Sequence, residues 1–173
     1  MEGSGRVAAV VGGAVAVLLQ LIVAPNIAIG SIVPNFLFAY VVVVAVVRAD
    51  TWGPVMPFVL GLVFDLAGGG PIGAMAFVFV LMTFLASRAF LLLDNGTLFM
   101  PIALVVFSML FGEILYGVFL MMCGMGVGLL EALAYRGLPC ALFDCVIGLV
   151  MYPLCVRFMA PSRAQQPGMP LMS

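Results

Sequence analysis

Hydrophobic residues run along this chain in long blocks, separated only by short polar breaks. The first block extends from Arg6 to Ala24 and ends at Pro25-Asn26. Others cover Val33 to Val47, Trp52 to Ala67, Ile72 to Leu93, Leu98 to Cys123 and Leu138 to Met159. About 20 apolar residues in a helix cross a hydrocarbon core about 30 Å thick, so the pattern predicts about six transmembrane helices. Pro34 falls where the first turn of span two tolerates a missing N–H. Span three is short and interrupted by Pro54, Pro57 and Gly61. Gly68-Gly69-Gly70-Pro71 then supplies a chain reversal into span four, and Asp94-Asn95-Gly96 a second turn. A glycine-rich linker carrying Glu131 and Arg136 precedes span six. The expected organisation is one all-α transmembrane domain over residues 1–160, with a short disordered tail from Pro161 to Ser173.

Composition fixes the solvent. Hydrophobic residues make up 66% of the chain and charged residues 8%, outside the range of soluble domains. The block after Arg6 is longer than a signal-peptide core and more spans follow it, so it reads as an uncleaved first helix. A net charge of −1 with no basic cluster offers nothing to nucleic acid or to anionic lipid, so the bilayer itself is the predicted environment. Orientation follows from the arginines, because there is no lysine. With six spans and a cytoplasmic N-terminus, Arg6, Arg48, Arg88, Arg157 and Arg163 lie at cytoplasmic ends and only Arg136 lies outside. A five-span count that omits span three would move Arg88, Arg157 and Arg163 across. The positive-inside rule therefore selects six spans with both termini in the cytoplasm.

Chemistry is sparse. Cys123, Cys140, Cys145 and Cys155 lack metal-ligand spacing and read as buried structural thiols. The chain has no histidine, no phosphate loop with lysine and no metal-ligand cluster, so no catalytic, cofactor or metal site is predicted. Gly124-Met125-Gly126-Val127-Gly128 follows no strand and reads as a flexible linker. Three acids do lie within spans: Asp65, Glu113 and Asp144. A carboxylate at mid-bilayer costs roughly 2.5–3.5 kcal/mol on insertion scales, so such groups face protein or water. Asp65 falls near the outer end of its span, within reach of water. Either the acids fix helix packing through hydrogen bonds, or they form a proton, cation or polar-substrate site. The lack of a second ligand type favours packing.

Small residues mark where helices meet. Ala8, Gly12 and Ala16 recur every four residues on span one, with Gln20 continuing the row. Cys140, Asp144, Gly148 and Tyr152 form a similar stripe on span six, and Gly61 with Asp65 a pair on span three. Such rows let backbones approach and let a polar side chain bond across the contact.

The segments "SIVPNFLFAYVVVVAVV", "FVLGLVFDLAGGGPIGAMAF" and "ASRAF", in that order, resemble MreD, the family of bacterial rod shape-determining membrane proteins. The matching residues are Pro34-Asn35, Gly61 four positions before Asp65, the glycines Gly68 to Gly70, and Gly73. Leu18-Leu19-Gln20 and Tyr152-Pro153 followed by Arg157 also fit. The match is close over about Ser31 to Phe90 and loose beyond, where Glu113 and Asp144 fit no family motif. The resemblance implies a non-enzymatic inner-membrane scaffold of the cell-elongation complex. It would bind MreC and work alongside MreB, RodA and a penicillin-binding transpeptidase in lateral peptidoglycan synthesis. The family fold is similar to the substrate-binding subunits of energy-coupling-factor transporters, which implies a rival: a small-molecule-binding or transporter subunit. In that case Asp65, Glu113 and Asp144 would line a pocket open to the outside. Under the scaffold reading, Pro34, Asn35, Gly61, Asp65 and Gly73 shape the outer half of the bundle. There, Asp65→Asn should complement cell shape where Asp65→Ala fails.

Overall fold

The computed structural model describes residues 2–30, 32–49, 53–68, 70–93, 97, 99–124 and 137–159. The linker with Glu131 and Arg136, the turn Asp94-Asn95-Gly96 and the tail from Pro161 lie outside these residues, as does most of the Gly124–Gly128 stretch.

Apolar runs become helices because, in lipid, only intrasegment hydrogen bonding satisfies the backbone. Helix α1 (Glu2–Leu18) continues through a π-helical turn, Leu19–Val23, into the short α2 (Ala24–Asn26). Predicted span one therefore extends past Pro25, which follows the π-helical turn without ending the helical course. The remaining helices are α3 (Phe36–Val47), α4 (Val55–Gly68), α5 (Ala74–Leu93), α6 (Phe99–Met122) and α7 (Leu138–Met159). The result is an all-helical bundle in which successive long helices alternate in direction. Its N-terminal face carries Arg48, Arg88 and Arg157. The opposite face carries Gln20, Asn35, Asp65 and the start of α7.

Four helical segments are long and apolar enough to cross a membrane: Val7–Asn26, Ala74–Leu93, Phe99–Met122 and Leu138–Met159. The other two are shorter. At 1.5 Å per residue, the 12 residues of α3 rise about 18 Å, well short of a bilayer core. Ten of those residues are buried, and α3 packs against α1, α4, α5, α6 and α7. A helix apolar all round belongs in such a centre. The segment before α3 runs non-helically, and Pro34 precedes the helix instead of entering its first turn. Asn35 is the cap: its Oδ1 accepts the N–H of Phe38 at 2.9 Å.

The prolines and Gly61 do not interrupt span three. Pro54 precedes α4 and Pro57 lies in its first turn, where N–H groups lack intrahelical partners. Gly61 sits inside a continuous helix, where it serves packing. A Cβ there would collide with the Cα of Ala76 and come within 2.8 Å of its nitrogen. Gly112 plays the same part between α6 and α3, where a Cβ would strike the Phe38 ring. That ring stacks on Phe79 with centroids 5.3 Å apart.

The small-residue rows do mark contacts. Gly12 of α1 faces α3, where a Cβ would meet the Tyr40 ring and hydroxyl, and Ala16 is fully buried. Gly148 of α7 opposes Val105 and Met109 of α6. Exposed apolar side chains such as Val7, Val11, Leu18 and Ile22 clothe the outside of α1. Cys140, Cys145 and Cys155 are buried and outside any disulfide, as expected, whereas Cys123 is exposed at the end of α6.

Candidate functional site

Polar side chains concentrate at the face opposite the N-terminus, in two neighbouring groups. The first is built on Asp65, near the end of α4. Its Oδ2 accepts N–H groups from Gly73 at 2.8 Å and Ala76 at 3.2 Å, and its Oδ1 accepts that of Met75 at 3.1 Å. These donors lie at the start of α5, where helical N–H groups have no intrahelical partner and the dipole favours a negative charge. A carboxylate in this position is worth up to about 2 kcal/mol when partly buried. Gly61, one turn earlier, lets α4 approach α5 closely enough for the contact. Gly73 adopts φ +96°, a conformation that favours glycine, and turns the chain so that its own N–H meets Asp65. Asp65 is only 2% exposed, so it is not reached by water as its position near the end of span three predicts. The helix start encloses it.

The second group joins both ends of the chain around residues 34–36. Gln20, in the π-helical turn, donates from Nε2 to the Pro34 carbonyl at 3.2 Å and accepts the Phe36 N–H on Oε1 at 2.7 Å. Asp144 of α7 accepts the Asn35 N–H on Oδ1 at 2.6 Å. The N-terminal donors of α3 are thus distributed over three side chains: Asn35 itself, Gln20 and Asp144. The other carboxylate oxygen of Asp144 is buried and receives no donor from the described residues. Glu113 of α6 lies within hydrogen-bonding range of that carboxyl. Asn35 Nδ2 is likewise buried without an acceptor among the described residues.

A cavity of about 90 Å³ opens beside this group, lined by Asn35, Phe64, Met75, Glu113, Tyr116 and Leu120 among others. Of the three acids, only Glu113 lines it. Asp65 is held at the start of α5, and Asp144 stands behind Asn35. No group of three or more His, Cys, Asp or Glu side chains able to hold a metal occurs among the described residues.

All eight singled-out residues therefore sit at one end of the bundle. Gln20, Pro34, Asn35, Glu113 and Asp144 converge, while Gly61, Asp65 and Gly73 form the adjoining helix cap. Two residues escape a reading by motif. Tyr40 donates its hydroxyl to the Ala9 carbonyl and ties α3 to α1. As the one polar side chain within a 12-residue apolar helix, it carried a signal that spacing rules ignore. Tyr116 lines the cavity from α6, and nothing in its apolar neighbourhood distinguishes it.

The family profile described as rod shape-determining protein MreD matches residues 7–161, nearly the whole chain. No curated protein matches the chain at significance, and no solved structure does. The match takes in both polar groups and the helices that carry them. This chain belongs to the MreD family of rod shape-determining proteins.

Proposed function

We propose that this protein is a membrane scaffold of the bacterial cell-elongation complex, holding MreC and supporting lateral peptidoglycan synthesis together with MreB, RodA and a penicillin-binding transpeptidase. Membership of the MreD family carries the reading. It is supported by how the polar residues are used: Asp65, Gln20 and Asp144 accept or donate backbone hydrogen bonds. That is the work of groups that hold a surface in shape. The protein lies in the cytoplasmic membrane with both termini inside, an orientation favoured by Arg48, Arg88 and Arg157 on the N-terminal face.

Co-purification tests the proposal. Tagged protein extracted in mild detergent should carry MreC with it in stoichiometric amounts, and Asp65→Ala should reduce that yield. Recovery without MreC, from cells that express both and with a mild crosslinker present, would refute the scaffold reading.

A further inference from the structure

A second cavity, of about 420 Å³, lies along α5 beside the connection from α3 to α4. Ala49, Gly53 and Pro54 line it on the side of that connection, and Phe77, Val80 and Leu81 on the side of α5. From Phe77 to Leu91, which also lines it, α5 rises about 21 Å at 1.5 Å per residue. Spread over that length, the volume amounts to about 20 Å² in cross-section. A helix with its side chains is about 10–12 Å across, several times that area. The cavity suits one slender chain, not a partner helix. Phe77, Phe84 and Leu91 are half-exposed, so its rim opens to the surrounding lipid. One leaflet holds about 15 Å of hydrocarbon, half of the core, and the cavity is long enough to traverse it.

Its polar groups are few and ordered along the helix. Among the described residues, Arg88 is the one charged side chain in the lining. Arginines near helix ends commonly reach outward to the interface. Arg88 instead lies back over Phe84, one turn deeper, with Cζ 5.5 Å from the ring centroid. The ring holds the charge beside the cavity, and a guanidinium fork suits the paired oxygens of a phosphate. Thr83 also lines the cavity, and its buried hydroxyl has no hydrogen-bond partner among the described residues. Ser87, one turn on, differs in donating to the Phe84 carbonyl at 3.1 Å. Threonine in a helix divides between two χ1 rotamers, so this hydroxyl can turn to an acceptor that enters. The occupant that satisfies these groups is long and apolar, with an anion at the Arg88 end and an acceptor oxygen just below it.

We infer that the cavity binds one membrane glycerophospholipid. Its phosphate meets Arg88, an ester carbonyl accepts from Thr83, and an acyl chain runs past Val80 to Phe77. The order phosphate, ester, chain matches the order of those residues down α5. The site is one arginine over a cavity and not a basic surface, so the charge pattern of the chain gives no sign of it. This goes beyond the scaffold reading and does not depend on it.

The probe is phosphatidylglycerol, titrated into delipidated full-length protein in detergent, with retained lipid counted by native mass spectrometry. One lipid per chain should be retained saturably. Diacylglycerol with the same chains lacks the phosphate, and glycerol phosphate lacks the chains; each should bind at least tenfold more weakly. A dialkyl ether analogue, which lacks the ester carbonyl, should bind severalfold more weakly. Arg88→Gln should raise the half-saturating concentration of phosphatidylglycerol at least tenfold and leave that of diacylglycerol unchanged. Thr83→Val, which keeps the side chain's shape, should erase the difference between ester and ether lipids. Retention of all these lipids alike, without saturation, would reveal only the ordinary lipid surround and overturn the inference. So would undiminished retention of phosphatidylglycerol by Arg88→Gln. If that variant also lost MreC, the cavity would belong to a partner protein instead, so MreC recovery keeps this claim apart from the scaffold reading.

Discussion

The backbone N–H of Asn35 donates to Asp144 Oδ1 over 2.6 Å, joining positions 109 residues apart in the chain. On the other side, Gln20 holds the carbonyl of Pro34 and the N–H of Phe36. The start of the central helix is thereby fixed by the first and last long helices of the bundle. Without those partners, its N–H groups would face a medium that offers no water.

Asp144 should tolerate an isosteric amide but not a hydrocarbon. Asp144→Asn keeps an oxygen for the Asn35 N–H and can turn its new N–H groups toward Glu113. Asp144→Leu leaves a buried donor unpaired, at a cost of about 1–3 kcal/mol. Thermal melts should place Asn near wild type and Leu clearly below it. Gln20→Leu should cost a similar amount. Because both residues hold the same three-residue segment, the double mutant should lose less than the two single losses added together.

For Asp65 the expected order is wild type, then Asn, then Ala. All three of its hydrogen bonds come from backbone donors. An amide supplies only one acceptor oxygen and turns its NH₂ toward another N–H. Asn should therefore melt below wild type, and Ala lower still by about 1–2 kcal/mol. Immunoblots of membranes report the same order as protein abundance. Equal and complete loss of function in both variants at normal abundance would show that the charge itself is required.

Gly61 and Gly112 should both reject alanine, but only one should be rescuable. The obstacle at Gly61 is the backbone of Ala76, whereas at Gly112 it is the Phe38 ring. Overpacking of this kind costs about 1–3 kcal/mol. Phe38→Leu should recover part of the loss in Gly112→Ala, and Ala76→Gly should recover none of the loss in Gly61→Ala. Melting temperatures of the four proteins and the two double mutants test this.

Removing the Tyr40 hydroxyl should loosen α1 from α3. Tyr40 is 1% exposed and its hydroxyl donates to the Ala9 carbonyl. Tyr40→Phe should lower stability by about 1 kcal/mol and raise hydrogen exchange at the amides of α1, with little change in α6.

Much of this architecture was legible in the sequence, and the exceptions have physical causes. Long lipid-facing helices announce themselves because every turn must be apolar, so the ends of α5, α6 and α7 fall within two residues of the predicted spans. Gly61 and Asp65 were readable as a pair because both act on one partner helix. The central position of α3 was not. A helix enclosed by protein need not match the bilayer thickness, and apolarity alone does not separate protein-facing from lipid-facing surfaces. Nor could spacing join Gln20 to Pro34 or set Glu113 against Asp144. Those contacts exist only once α1, α6 and α7 surround α3. The continuity of α4 was hidden by its prolines, whose effect depends on lying before the helix or in its first turn.

Depletion of the protein in a rod-shaped host, with cell width and length followed by microscopy, tests the central claim most directly. The account predicts progressive rounding, restoration of rods by the wild-type chain, and failure of Asp65→Ala to restore them. Rod shape that persists through complete depletion, without suppressor mutations, would contradict it.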